Sequence, residues 1–197
     1  MTTTAPTAST DRLRLAVIIG STREGRFGPT VAHWFADRAR RREDLDVDLV
    51  DLLDERLPDV LAGTPTPEVA SLTPRLAAAD AFVVVTPEYN HSYPAPLKSA
   101  IDWHRQEWQA KPVGFVSYGG IAGGLRAVEH LRQVFAEVHA TTVRDTVSFH
   151  SAWELFDEAG QLHDPARPEG AAKTMLDQLV WWGRALRDAK SAHPYGN

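Results

Sequence analysis

The sequence predicts an α/β fold in which a parallel sheet carries helices on both faces. Three observations carry that reading. Short continuous apolar runs recur at Leu15–Ile19, Ala81–Val85 and Val113–Val116, as strands buried on both faces do. Segments with apolar residues at helical spacing separate them. The strand–helix alternation occurs five times with no internal repeat and no second composition regime, which makes one layered domain.

Taken in order, the first strand runs to Ile19 and stops at Gly20. Pro29, just after Gly28, sits where a first helical residue belongs, and Val31, Trp34, Phe35 and Ala39 give that helix its apolar stripe. Val47, Leu49, Val50 and Leu52 mark a second strand. Residues 54–74 carry Pro58, Pro65, Pro67 and Pro74 with little periodicity before Leu72, so a loop is expected ahead of the second helix. The third strand is Ala81–Val85, followed by a helix begun near Pro94 and Pro96 with Leu97, Ala100 and Ile101 on one face. Val113–Val116 is the fourth strand; Leu125, Val128, Leu131, Phe135 and Val138 form the next helical stripe. Val143, Val147 and Phe149 alternate with polar neighbours, as a more exposed fifth strand would. Residues 150–168 read as one irregular excursion before a closing helix marked by Met175, Leu176, Leu179, Gly183 and Leu186. The boundaries follow: a flexible leader over 1–12, a single domain over 13–190 and a tail over 191–197.

Composition narrows the function. Among 197 residues, 21 are Lys or Arg and 26 are Asp or Glu, a net charge of −5. A nucleic-acid binder normally presents a basic face, so nucleic acid is not an expected partner. Cysteine is absent, which excludes disulfides, thiolate nucleophiles and cysteine-held metal clusters. The eight histidines include no pair at i, i+4, and no metal site is expected. No apolar run approaches the roughly 20 residues of a membrane span. The opening MTTTAPTASTD lacks a basic start and an apolar stretch, so the expected location is the cytoplasm.

Ligands of open α/β sheets bind beyond the carboxyl ends of the strands, near the point where strand order reverses. Three loops there are unusual. Gly20–Thr30 combines three glycines, hydroxyls and the cations Arg23 and Arg26 ahead of a helix start. It matches neither a dinucleotide fingerprint nor a Walker A loop, and reads either as a cradle for a terminal phosphate or as a polar turn that caps the helix. Thr86–Pro94 offers Tyr89, Tyr93 and Asn90, suited to a flat heteroaromatic ring with a polar edge or to a subunit contact. Ser117–Gly124 holds four glycines in six residues, so its N–H groups can face a ligand directly; otherwise it is a flexible loop. Together the three describe a site for a mononucleotide with a flat base, an outline that flavin mononucleotide fits.

These stretches carry a family resemblance. Gly20-Ser21-Thr22-Arg23 with Arg26-Phe27-Gly28, Pro87-Glu88-Tyr89-Asn90 with Pro94, Leu97, Lys98 and Ile101-Asp102-Trp103, and Ser117-Tyr118-Gly119-Gly120 with Gly123, Gly124, Arg126 and Ala127 resemble the NADPH-dependent FMN reductase family of flavodoxin-like proteins. The resemblance runs from about Leu13 to Asp188. It implies a three-layer sandwich around a five-stranded parallel sheet of order 2-1-3-4-5. It implies that Ser21, Arg23 and the Arg26–Phe27–Gly28 segment hold the FMN phosphate. Pro87, Glu88, Tyr89 and Asn90 would line the ribityl chain and one ring edge, largely through backbone groups; Ser117, Tyr118, Gly119 and Gly120 would approach the pyrimidine end. The sequence departs from the family at Ser99, where asparagine is usual, and at Arg26-Phe27-Gly28, where many members have Ser-x-Asn.

The resemblance further implies an NAD(P)H oxidoreductase: a hydride passes from NADPH or NADH to bound FMN, then electrons pass to a small acceptor (quinone, flavin, azo compound or metal oxyanion) by ping-pong kinetics. The flavin carries the chemistry, so no catalytic side chain is assigned. A homodimer or homotetramer is implied, with the flavin near the subunit interface. Two alternatives lack turnover: a flavodoxin-type electron carrier and a flavin-binding redox sensor. Trp103, Trp108 and Trp153 are candidates for an acceptor pocket or for packing, while Trp181 and Trp182 read as packing on the last helix.

Overall fold

β1 (Leu13–Ile19) begins one residue into the described chain, which in the computed structural model spans residues 12–196. The leader expected over 1–12 therefore lies, apart from Arg12, outside the described residues. β1 pairs in parallel with β2 (Leu45–Asp51) on one side and β3 (Ala81–Pro87) on the other; β4 (Pro112–Gly119) continues beyond β3. Two short pieces, β5 (Thr141–Thr142) and β6 (Val147–His150), both pair in parallel with β4. The order is β2-β1-β3-β4-β5, with β6 beside β4. The chain thus moves outward to β2, returns past β1 and proceeds the other way. That reversal opens a crevice at the carboxyl ends of β1 and β3.

The helices divide between the two faces because strand side chains alternate. Leu13, Leu15, Val17 and Ile19 point to α1 (Gly28–Arg40) and α6 (Ala166–Ala192), where they meet Val31, Phe35, Met175, Leu176 and Leu179 in one core. Ala16 and Ile18 point to the opposite core, built with α3 (Pro67–Ala78), α4 (Ala95–Trp103) and α5 (Leu125–Glu137) through Leu72, Leu97, Ile101, Leu131 and Phe135. No helix among the described residues is long and apolar enough to cross a membrane.

Four sequence readings need correction. The fifth strand is split, since residues 143–146 bulge out between β5 and β6. β5 pairs with β4 at an offset of 29 residues (Thr141 with Pro112), β6 at 31 (Val147 with Val116). A shift of two keeps side-chain parity, so Val143, Val147 and Phe149 still share a face. That face is inward: all three are buried against α1 and α6 rather than exposed. The bulge is held by Arg132, whose Nη1 donates to Val143 O at 2.8 Å and Nη2 to Arg144 O at 3.0 Å, and by Gln178, which donates to Asp145. The expected loop over 54–74 is shorter, because α3 starts at Pro67 and contains Pro74. Pro74 and Ala70 are exposed, so the carbonyl that loses its donor faces water, which lowers the usual cost. Leu125 opens α5 but is half exposed rather than part of its buried stripe. Finally α6 runs to Ala192, two residues into the expected tail.

Candidate functional site

The strand register brings the three unusual loops to one level. Ile19 lies beside Val85, and Gly20 donates its N–H to Val85 O at 2.9 Å. Pro87 lies beside Tyr118. The loops that leave β1, β3 and β4 therefore start side by side and enclose a cleft of about 390 Å³. Ser21, Arg23, Arg26, Phe27, Pro87, Glu88, Tyr89, Tyr118, Gly119 and Gly120 line it, joined by Gly25 and Trp153. A larger hollow of about 570 Å³ lies beside β6 among Leu155, Leu162, His163 and Arg167; position at the strand ends, not size, singles out the cleft.

Side-chain bonds tie each loop to the next. Ser21, fully buried, shares a 2.6 Å hydrogen bond between its Oγ and the Tyr89 hydroxyl. Glu88 Oε1 accepts from Arg126 Nη1 at 2.7 Å, and Oε2 accepts from the Arg126 backbone N–H at 3.2 Å. A carboxylate from the β3 loop thereby satisfies an open N–H in the first turn of α5, where negative charge suits the helix dipole. Tyr89 and Ser92 close a tight turn by exchanging backbone bonds, which puts Asn90 at its exposed tip with φ +48°.

The two loop arginines differ. Arg26 donates to both Asp51 oxygens at 2.5 and 2.6 Å and to Ser21 O at 2.7 Å. The pair is mostly buried, and the Asp51 hydrogen bond raises the Arg26 guanidinium above its ordinary value against the opposing effect of burial. Asp51 also accepts from Leu53 N, capping α2 (Leu52–Glu55). Arg26 therefore fixes the shape of the loop. Arg23 is exposed, makes no ion pair among the described residues, and lies with its guanidinium 5.7 Å from the Tyr89 ring centre.

The start of α1 is open. Phe27 occupies the capping position and makes no side-chain cap, and no acidic residue lies in the first turn, where His33 Nδ1 stands 2.7 Å from Pro29 O. Gly28 is the first helical residue, and a Cβ on it would stand 2.8 Å from Tyr118 Oη and 3.0 Å from Ile19. Only glycine lets the β4 tyrosine come so close. Tyr118 is 5% exposed, its hydroxyl has no hydrogen-bond partner among the described residues, and burial pushes its ionisation well above the ordinary range.

The glycines after β4 are also dictated by space. Gly124 has φ +81°, and a Cβ there would lie 2.7 Å from Ser117. Ser117 Oγ and Ser148 Oγ both donate to Gly123 O, at 2.8 and 2.9 Å. Ser151 donates its N–H to Gly120 O at 3.0 Å, and the following 3₁₀ turn (Ala152–Glu154) sets Trp153 over Gly120. The indole is 60% exposed.

Ten of the thirteen residues singled out from the sequence meet in this cleft. Gly28 lies beneath Tyr118, Asn90 at its turn tip, and Ser117 inside the sheet bonded to Gly123. Trp153 is the lining tryptophan of the three weighed. Trp108 is buried against Phe82 and Phe135, and Trp103 donates to Pro58 O at 3.0 Å. Trp181 and Trp182 are exposed on α6 rather than packed. Sequence reading missed Asp51, since nothing in a lone aspartate at the end of a strand announces an arginine 25 residues earlier.

The site's chemistry fits a flavin mononucleotide. An unpaired cation, an uncapped helix start and an unpartnered hydroxyl suit a phosphate, and flat aromatic and backbone surfaces suit a ring. Known proteins agree with this. An NAD(P)H-dependent FMN reductase of Schizosaccharomyces pombe is 40% identical over 123 residues, 56% of this chain and 60% of that protein. An NADPH:quinone oxidoreductase of Arabidopsis thaliana is 30% identical over 184 residues, 87% of this chain and 93% of the relative. FerB, a flavoenzyme NAD(P)H:(acceptor) oxidoreductase from Paracoccus denitrificans, superposes with a TM-score of 0.71 at 23% identity, covering 88% of this chain and 98% of its own, which shows the shared fold. With the model of NADPH-dependent FMN reductases matching residues 13–154, a span that takes in all three loops, the chain belongs to the NADPH-dependent FMN reductase family.

Proposed function

We propose that the protein is an FMN-dependent NAD(P)H oxidoreductase that reduces small acceptors, quinones first among them, with flavins, azo compounds and metal oxyanions as further candidates. The observation that carries the reading is the convergence of three sequence-distant loops on one cleft that joins an unpaired Arg23 and an uncapped α1 to a Gly119–Gly120 floor walled by Trp153. Bound FMN supplies the electron relay between NAD(P)H and the acceptor.

The chain's own residues bind and orient. Arg23 and Ser21, with the N–H groups at Phe27 and Gly28, hold the phosphate, and Arg26 keeps that loop in shape through Asp51. Pro87, Glu88, Tyr89 and Asn90 follow the ribityl chain and a ring edge through their backbone. Gly119 and Gly120 approach the pyrimidine end, where no side chain intervenes. Trp153 covers that end and limits water. No side chain needs to move a proton for hydride transfer, and donor and acceptor would occupy the open cleft beside Trp153 in turn, a ping-pong cycle. Ile121, 92% exposed and next in the chain to Gly120, adds exposed apolar surface to that of Trp153 at the cleft, which supports a homodimer or homotetramer that buries it.

The test is a spectrum of the purified protein after FMN is added and the excess removed, followed by anaerobic NADPH and then 1,4-benzoquinone. Flavin bands that stay with the protein, bleach with NADPH and return with the quinone are the expected result, with parallel double-reciprocal plots in steady state. Retained FMN that NADPH leaves oxidised would instead make the protein a carrier or a sensor.

A further inference from the structure

We propose that the hydroxyl of Tyr118 is a ligand of the cofactor's phosphate, reaching it from β4 beneath the first turn of α1. The inference rests on the FMN reading above and adds a residue whose side chain the sequence placed elsewhere. Family resemblance puts Ser117–Gly120 at the pyrimidine end of the ring. The structure divides that stretch. Successive side chains on a strand leave on opposite faces. Ser117 turns toward α5 and bonds to Gly123 O, while Tyr118 turns to the α1 face, with its ring 6.3 Å from Phe27.

The hydroxyl is the anomaly. Buried polar atoms in native proteins almost always have partners, and one without a partner destabilises the fold. Tyr118 Oη has none among the described residues although the cleft extends to its side chain. Ser21 stands close enough to act on the phenol, but its Oγ makes its 2.6 Å bond to Tyr89, and the Arg26 terminal nitrogens are given to Asp51 and Ser21 O. The hydroxyl lies where a Gly28 Cβ would be 2.8 Å away, against the first residue of a 13-residue helix whose start carries no side-chain cap. An acceptor atom with negative charge at that point satisfies the helix start and the phenol together. Burial keeps the phenol protonated, so it donates across the physiological pH range.

A hydroxyl that serves the phosphate makes a prediction that one serving the ring does not. The flavin-free full-length protein and its Tyr118→Phe variant are titrated with FMN and, separately, with riboflavin, which has the same ring and no phosphate, following quenching of flavin fluorescence. The melting temperature of each flavin-free protein is also measured. Tyr118→Phe is expected to weaken FMN binding by about tenfold, as loss of a hydrogen bond to a charged group does. Riboflavin affinity stays as in the wild type, and the flavin-free melting temperature is unchanged or higher because an unpartnered polar atom has gone. Equal FMN affinity in both proteins overturns the assignment and leaves the FMN reading standing. So does parallel weakening of FMN and riboflavin, which would place the hydroxyl at the ring, or a lower flavin-free melting temperature, which would give it a partner inside the protein. Wild-type protein that binds neither flavin overturns both readings.

Discussion

Arg23 and Arg26 stand three positions apart in a glycine-rich loop and do different work. Arg26 is spent on Asp51 and Ser21 O; Arg23 has no ion-pair partner among the described residues. Removing them should therefore separate binding from stability. Arg23→Ala is expected to weaken FMN affinity by roughly 10- to 100-fold, the equivalent of about 1.5–3 kcal/mol for a charge-assisted bond, with the melting temperature unchanged. Arg26→Met leaves the mostly buried Asp51 carboxylate without its ion pair, a loss of about 2 kcal/mol, between the cost of an exposed and of a fully buried pair, and should lower the melting temperature by roughly 4–8 °C. Thermal melts and FMN titrations of the two variants check this. The sequence could not make the distinction. Both arginines satisfy the chemistry of a phosphate loop, and only the position of Asp51 at the end of β2 shows which one is already committed. The same limit explains Tyr118: its place after a strand was legible, but which face it takes depends on the strand's phase within the sheet.

At the level of elements, the links between them show in the response to acid. Arg42 follows α1 and joins two neighbours, bonding Asp44 at the entrance to β2 and Asp177 on α6. Arg42 holds the Asp44 carboxyl below its ordinary value of 3.8, against the opposing effect of burial. Asp177 is lowered too, first by Lys173 and then by Arg42. A depressed carboxyl means that the unfolded chain binds more protons in acid. The stabilisation is thus complete above the unfolded value near 4 and fades as pH falls through the lower folded values. These carboxylates are partly solvated, so Arg42→Gln should cost about 1 kcal/mol or less at pH 7. Its deficit against the wild type should shrink in melts recorded below pH 4; a deficit that held constant would mean packing, not charge, was lost. Periodicity found these elements but not their breaks. Val143, Val147 and Phe149 kept their alternation because the bulge between β5 and β6 adds two residues, and an even insertion leaves no trace in a period of two. Pro74 misled in the opposite direction, since a helix tolerates proline on a side facing water.

Across the whole molecule, the layered architecture was legible because β1, β3 and β4 each hold a continuous apolar run, Leu15–Ile19, Ala81–Val85 and Val113–Val116, as strands of a sheet covered on both sides do. The loops at the strand ends were legible because they gather arginines, hydroxyls and tyrosines beside more glycines than a plain turn needs. Much of the remainder depends on contacts between residues distant in sequence, which composition does not encode. α6 illustrates the difference. It starts at Ala166, beyond the family-matched span of 13–154, yet it contributes Ala172, Met175, Leu176, Leu179 and Val180 to the core shared with α1. The stretch that identifies the family is therefore a unit of recognition and not a unit of folding. A chain ended after residue 154 would keep all three loops and leave one face of its sheet half uncovered. It should be recovered as aggregate, or as a species that binds hydrophobic dyes and lacks a cooperative melt. The residues that name the protein are held in place by a helix that says nothing about what it does.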